Sequence, residues 1–521
     1  MRLPLCRMEG FIFPMSSAFV EAYNAGVIAF QAGLFDQAAT IFRDLIADHP
    51  DNPQFHCALG FALKSAGRVA EAEAALRTAL SHRDDLIIAL SALGQILMES
   101  GRNAEAEPVF RRLLQLRIDH TGASLALGNI LLLLDRKPEA ERAYRLALML
   151  EPHNGTVLNN LGAVRLSQGH PLDGAVHYRR SLAVSPLPEY RKNLGTCLLM
   201  AGDFEEGAAA YEGRLDQAVW RRRNMPGVLW TGQPLDGKTL LVHFEQGLGD
   251  SFQFIRYATM LKAIGAHVVY ECQPALKRVL STAPDVDWLV AFGEPLPPYD
   301  YHVSLMSLMH RFGTRPRTVP GGVPYLRAEP ERARSWARRL GIVDDAGSVS
   351  VPMSRGVLRV GINWHGNEAG KSIPLDCFAA MARLPGVRLY SLQKVSGLEQ
   401  LDRRQGSFPL ETLGPDYDAG PDAFVDAAAV MANMDLIITC DTSVCHLAGA
   451  MGRPVWVVLK WFADWRWMRD RQDSPWYPSM RLFRQSRPND WAEVMDRVTA
   501  SVTALARNRN AFSPSGADRV A

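Results

Sequence analysis

The sequence predicts an α-helical repeat superhelix followed by two α/β units, each a parallel sheet covered by helices. Three observations predict it. Glycines recur every 34 residues through residues 18–218. From residue 236 onward, short apolar runs alternate with helix-like stretches. A Gly-, Pro- and Ser-rich break around 320–356 then divides that alternation into two series.

The first part rests on repeat phase. Gly26, Gly60, Gly94, Gly128 and Gly162 are evenly spaced, and Gly195 follows after 33. Seven residues behind them lie Gly33, Gly67, Gly101, Gly169 and Gly202, with Asp135 in the one empty place. Ala38, Ala72, Ala106 and Ala140 share the phase, as do Phe42, Phe110, Tyr144, Tyr178 and Tyr211. Pro50, Pro152 and Pro186 close three units. This pattern resembles the tetratricopeptide repeat (TPR) family, as six units over 18–218. A small residue in the first series lets two helices approach. The second series falls at the turn between them, where a left-handed backbone is needed. The aromatic is expected to fill the gap between neighbouring units. Such units stack around a concave groove, and a protein or peptide is the expected occupant. Asn159, Asn160 and Asn193 are the candidates to hold its backbone.

The second part reads as strands and turns. "KTLLVHF" (238–244), "HVVYEC" (267–272) and "DWLVAF" (287–292) are strand candidates in one unit. "VLRVGINW" (357–364), "VRLYSLQ" (387–393), "DLIITC" (435–440) and "PVWVVL" (454–459) are those of the next. Strands alternating with helices imply parallel sheets, and ligands of such sheets bind at the carboxyl ends of the strands. The expected divisions are 1–17, disordered; 18–218, repeats; 219–237, linker; 238–340 and 341–508, the two α/β halves; and 509–521, a disordered tail.

Composition narrows the partners. The chain of 521 residues is 47% hydrophobic and carries a formal charge of only +2, so no nucleic-acid partner is expected. Cys6, Cys57, Cys197, Cys272, Cys377, Cys440 and Cys445 contain no CxxC pair, which points to reduced thiols in a cytoplasmic protein and to no metal site. The opening "MRLPLCRMEGFIFPMSS" lacks an apolar stretch of signal-peptide length, and Met15 offers an alternative start. No apolar run reaches the roughly 18 residues of a membrane span.

Four turns fall at predicted strand ends. "FEQGLGDSFQF" carries Gly247, Gly249, Asp250 and Gln253. Asp250 is read as an N-cap or as a general base facing a cleft. "NWHGNEAGKS" carries Trp364, His365, Asn367 and the phosphate candidates Lys371 and Ser372. Gln393 ends the next strand and is a candidate reader of a base edge or sugar hydroxyl. "CDTSVCH" opens a helix at Asp441, Thr442 and Ser443, with His446 one turn on. Unpaired N–H groups at such a start favour a diphosphate. His446 reads equally as a donor or as a satisfied core residue.

"GLGDSFQFIRY", followed by "DTSVCHLAGAMGRPVWVVL", resembles the ADP-heptose lipopolysaccharide heptosyltransferases (glycosyltransferase family 9) and their repeat-fused relatives, over 238–508. The resemblance implies a GT-B fold: two Rossmann-like domains with a nucleotide-diphosphate sugar as donor between them. It implies Asp250 as catalytic base, Lys371 as a phosphate partner, and Asp441, Thr442, Ser443 and His446 at the donor. Ser443 stands where the family often has glycine. The implied reaction is hexosyl or heptosyl transfer, inverting and metal-independent, to a protein or glycan presented by the repeats, with no cofactor. An inactive scaffold that binds partners through the repeat groove is the alternative, and an enzyme of surface glycans is a third.

Three further stretches have ordinary readings. The Asp-x-Asp of "PDYDAGPD" (415–422) is read as loop more than metal site. Arg466 and Arg469 in "KWFADWRWMRDR" either meet phosphate or pack the halves together. Arg221, Arg222 and Arg223 are read as a solvated linker.

Overall fold

The computed structural model describes residues 17–217, 225–343, 357–368, 370–404 and 406–511. The expected disorder at 1–16 and 512–521, and the arginines 221–223, lie outside these. Two compact bodies meet in sequence at Tyr190 and Arg191.

The repeats form twelve helices: α1 (Ser17–Gln31), α2 (Phe35–Asp48), α3 (Pro53–Ser65), α4 (Val69–His82), α5 (Ile87–Glu99), α6 (Asn103–Leu116), α7 (Thr121–Leu133), α8 (Lys137–Leu150), α9 (Gly155–Ser167), α10 (Pro171–Val184), α11 (Pro188–Ala201) and α12 (Phe204–Tyr211). The first glycine series works as a contact site. A Cβ on Gly26 would lie 2.7 Å from the Phe42 ring, and one on Gly128 would lie 2.5 Å from that of Tyr144. Each large residue thus fills the space inside its own helix pair, where the sequence placed it between units. Leu76 does the same for Gly60, which is why that column can lack an aromatic. The second series has positive φ throughout, and Asp135 adopts 58° in the place of its missing glycine. Asn52, His120 and Asn154 cap the starts of α3, α7 and α9 from one repeat position.

A charge ladder at the same period is absent from the sequence reading. Arg43 pairs with Glu71, Arg77 with Glu105 and Arg111 with Glu139, each across 28 residues. Arg102 reaches back to Glu73, and Arg136 to Glu107. These pairs are largely exposed, so each adds little stability, and their repetition acts chiefly on register between neighbouring units.

The remaining elements are β1 (Val228–Leu229), β2 (Thr239–His243), α13 (Leu248–Phe254), α14 (Tyr257–Ala263), β3 (His267–Cys272), α15 (Lys277–Leu280), β4 (Trp288–Ala291), β5 (Tyr301–Ser304), α16 (Leu308–Arg311), α17 (Pro330–Arg339), β6 (Leu358–Asn363), α18 (Ala379–Ala382), β7 (Val387–Ser391), α19 (Glu399–Arg404), α20 (Val425–Ala432), β8 (Leu436–Cys440), α21 (Ser443–Ala450), β9 (Val455–Leu459), β10 (Met480–Arg484) and α22 (Trp491–Ala511). They form two five-stranded sheets, ordered β1-β5-β2-β3-β4 and β10-β9-β8-β6-β7. All pairings between these strands are parallel. In the second sheet the winding direction reverses between β6 and β8, which opens a crevice at their carboxyl ends.

Three expected boundaries move. The 219–237 stretch is not all linker, because β1 pairs with β5. The helix α17 joins the second half, not the first: Arg332 and Trp336 both donate to Asp426 at 2.6 Å, at the start of α20. The last helix continues to Ala511. The sixth helix pair also belongs to the α/β body. Phe204 of α12 stacks on Trp476 at 5.7 Å, and Arg214 just after it is 2% exposed. Among the described residues no helix is long and apolar enough to cross a membrane.

Gly195 sits where α11 meets α12. A Cβ there would run into the Tyr211 backbone and lie 2.8 Å from the Gly207 carbonyl. Backbone cannot turn aside, so Gly195→Ala should cost about 1–3 kcal/mol. Gly162→Ala should cost less, because it meets only the movable Tyr178 ring at 2.9 Å. Thermal unfolding of the two variants side by side checks the order.

Candidate functional site at the carboxyl ends of the second sheet

The crevice between β6 and β8 is built from Asn363 outward. Its Oδ1 accepts from the Thr442 hydroxyl at 2.9 Å and from Thr439 at 3.1 Å. Its Nδ2 donates to Gln393 at 2.8 Å. Thr442 is the N-cap of α21 with an extended backbone, and its side chain caps none of the helix N–H groups. Gly366 lets the loop after β6 lie against that turn, because a Cβ would be 3.2 Å from the Thr442 methyl.

Lysine chemistry converges here. Lys371 Nζ lies 3.0 Å from Asp441 and 2.8 Å from Glu368. Lys460, directly after β9, reaches the other oxygen of Glu368 at 2.5 Å. Burial opposes the Lys371 charge, but the two carboxylates outweigh it and hold the ammonium protonated. The carboxyl of Asp441 is raised by burial, against the pull of Lys371.

The first sheet supplies the facing turn. Asp250 is not the N-cap of α13, as the sequence suggested; Gly247 is, and Asp250 sits three residues on. Its Oδ2 accepts from the Gly247 N–H at 2.8 Å, and its Oδ1 pairs with Arg466 at 2.6 Å. Arg466 also donates to Gln253 at 2.8 Å and to Asp464 at 2.9 Å. Burial lifts the Asp250 carboxyl above the usual range although Arg466 pulls it down. Asp464 goes the other way. Burial opposes its charge, but Arg466 and the Arg466 N–H outweigh that.

The two turns touch. A Cβ on Gly249 would lie 2.7 Å from the His446 ring and 3.5 Å from Ser443 Cα. So Gly249 serves close packing between the halves. His446 takes the core reading. It is 5% exposed, stacked on Trp467 at 5.3 Å and bonded to the Tyr477 hydroxyl at 3.0 Å. Burial pulls its pKa down to about 3, leaving it neutral.

Several expected cleft residues are elsewhere. Trp364 is fully buried, with its indole donating to Gly397. Gln393 does not face a ligand. Its Oε1 accepts from Asn363 and from the N–H groups of Trp364 and His365, and its Nε2 donates to Ser396. It fixes the turn after β6. Gln253 is fully buried and holds Arg466. His365 bonds Ser372 at 3.1 Å, and exposed Asn367 accepts from Ser396. Lys371, Asp441, Thr442 and Ser443 do come together. The sequence reading missed Lys460, Glu368 and Asp464. Of its two readings of Arg466, phosphate contact or packing the halves together, the ion pair with Asp250 is the packing one. In the repeats, Asn160 is engaged by Asn129 and Asn159, and Asn159 is buried.

Two metal possibilities were tested on the donors. Asp418, in the Asp-x-Asp loop, accepts from the Asp426 N–H at 2.8 Å. Asp441, Cys445 and His446 could share an ion, their ligand atoms lying within 4.8 Å of one another. Yet Lys371 holds the carboxylate, Tyr477 the imidazole, and the Cys445 thiol donates to the Thr442 carbonyl at 2.9 Å. That donor set does not fit a cation without dismantling the turn.

Comparison with known proteins identifies the repeats. Residues 29–96, 91–154 and 159–218 match the tetratricopeptide repeat family. Protein FlbA of Caulobacter vibrioides is 26% identical over 337 residues, 60% of this chain and 54% of FlbA. The chain thus spans about half the length of that relative. Among solved structures, MamA from Desulfovibrio magneticus RS-1 aligns at 17% identity and TM-score 0.32, over 33% of this chain and 98% of its own. YrrB, described as a TPR protein with an unusual peptide-binding site, aligns at 16% and 0.31, over 34% and 91%.

Proposed function

We propose that the chain is a GT-B-type glycosyltransferase that moves a sugar from a nucleotide-diphosphate donor to an acceptor presented by its tetratricopeptide repeats. The single observation that carries this reading is Lys371. It sits beside the uncapped start of α21, at the point where the second sheet reverses its winding. An ammonium and a helix start without a side-chain cap together suit a leaving diphosphate. On this reading Asp250, in the facing turn, takes the acceptor proton. Its raised pKa makes it a stronger base than a solvated aspartate. A protein or peptide acceptor suits the repeats, because stacked helix pairs make extended binding surfaces.

The scaffold reading has its own observation. Asp250 is paired with Arg466, and Lys371 with Asp441 and Glu368, so the charges balance without a ligand. A thermal-shift screen of the purified chain against UDP-, GDP-, ADP-, CMP- and dTDP-sugars separates the two. At a hundredfold excess over Kd, a donor stabilises by about 2.7 kcal/mol, which is several degrees in Tm. The shift should appear with one nucleotide and shrink to half or less in Lys371→Ala. No shift with any donor supports the scaffold.

A further inference from the structure

A second cluster of cations lines a cleft that shares no residue with the crevice, although the charge of Asp441 still acts on one of them, Arg484. Along β10, the edge strand of the second sheet, runs a cleft of about 500 Å³. Its walls carry the guanidinium groups of Arg469, Arg471, Arg481, Arg484 and Arg497, with Asp470 as the one carboxylate. Two of the five are compensated from outside: Arg471 by Asp473 at 2.6 Å and Arg497 by Glu493 at 2.6 Å.

The other three have no carboxylate within ion-pair distance among the described residues. Arg469 lies over the Trp461 ring at 3.9 Å and donates to the Trp461 carbonyl. Arg481 is exposed and lies over Phe483 at 4.4 Å. Arg484 is sunk in the wall, where its Nη2 finds only the carbonyls of Trp467 and Met468. Its Nε is buried without a partner. Burial and the neighbouring Arg469 pull the Arg484 pKa down to about 10. Buried like charges of this kind are costly unless an anion neutralises them.

We propose that this cleft binds a phosphate-bearing small molecule, at a site separate from the crevice between β6 and β8. Guanidinium forks match phosphate oxygens pairwise. The cavity falls within the range of small-molecule pockets, roughly 300–1,000 Å³. Stacked Arg481 and Arg469 are held ready by their aromatic neighbours.

Titration calorimetry of the full chain in phosphate-free buffer tests this, with pyrophosphate and UDP as probes. The probes are applied to Lys371→Ala, in which the proposed donor crevice is weakened; that protein should still bind pyrophosphate, and the arginine variants are made in the same background. The double variant R469A/R481A should bind at least tenfold more weakly, and R481A alone, at an exposed position, should show part of that loss without a folding defect. Raising the salt should weaken binding. Equal affinity for pyrophosphate and UDP assigns the site to phosphates alone; tighter UDP adds a nucleoside contact. Absence of binding to Lys371→Ala, or affinity unchanged in R469A/R481A, overturns the proposal.

Discussion

Arg214→Ala is expected to destabilise the α/β body by about 3–5 kcal/mol, the range for breaking a buried ion pair from one side. Arg214 and Glu245 have side chains only 2% and 3% exposed. The pair is bidentate, at 2.7 and 2.8 Å, and Glu245 also accepts from the Met306 N–H at 2.8 Å. Arg214 further holds Glu212 at 2.7 Å and Ser307 at 2.9 Å. Alanine leaves two carboxylates facing a dry pocket. The pH dependence follows. In wild type, burial opposes the Glu245 charge but Arg214 outweighs it, so its folded pKa is lowered. That contribution is present above the ordinary carboxylate pKa and is lost as pH falls through the lowered value. In the variant burial, the largest influence, is opposed chiefly by the Met306 N–H, and the folded pKa is expected to rise above the unfolded one. Its defect should therefore be large at pH 7 and shrink toward pH 4–5, where the carboxylate takes up a proton. Urea unfolding at the two pH values measures this. The paired change R214M/E245L should recover most of the loss. A defect below about 0.5 kcal/mol at pH 7 would show that solvent reaches the pair.

Arg214 also shows where sequence reading stops. Periodicity exposed the repeats because each glycine answers a local demand, for a close helix approach or for a positive φ at Gly33 and its successors. Fully buried strands were equally legible, as with "LIITC" in β8. The edge strand β10 was not, because "MRLFR" interleaves arginines with apolar residues and resembles a surface loop. β5 was missed because four residues behind a Pro-rich stretch give too little pattern. The helix-like stretch between β2 and β3 is two helices, α13 and α14, with the break at Ile255–Arg256. In the site, the turn residues announced themselves by following apolar runs. Their partners did not. Arg466 meets Asp250 across 216 residues, and Lys460 meets Glu368 across 92. Such pairings depend on how the two sheets face, which a single sequence does not encode locally. The choice between readings of His446 likewise needed Trp467 and Tyr477 in place.

If the chain transfers sugar as proposed, Asp250→Asn should lower kcat by about 10²–10⁴ while leaving donor affinity nearly unchanged. The asparagine carbonyl can still accept from the Gly247 N–H, so the start of α13 keeps its cap. Arg466 keeps Asp464 and Gln253, so it is not left without a counter-charge. The substitution thus removes the proton acceptor more than the fold. The pH profile carries a second consequence. A base must be unprotonated to act, and burial holds this carboxyl above the ordinary range. The acid limb of kcat/KM should therefore lie at higher pH than for a solvated aspartate. Arg466 is the main group pulling the other way, so Arg466→Met should move that limb higher still. Lys371→Ala should behave differently, weakening donor binding by roughly 10–100-fold through lost charge-assisted bonds. An Asp250→Asn enzyme that keeps more than a tenth of the wild-type rate would place the base elsewhere. If Asp250→Asn and Lys371→Ala both leave transfer intact, the closed charge network at the sheet ends is structural, and the chemistry must be sought in another part of the α/β body.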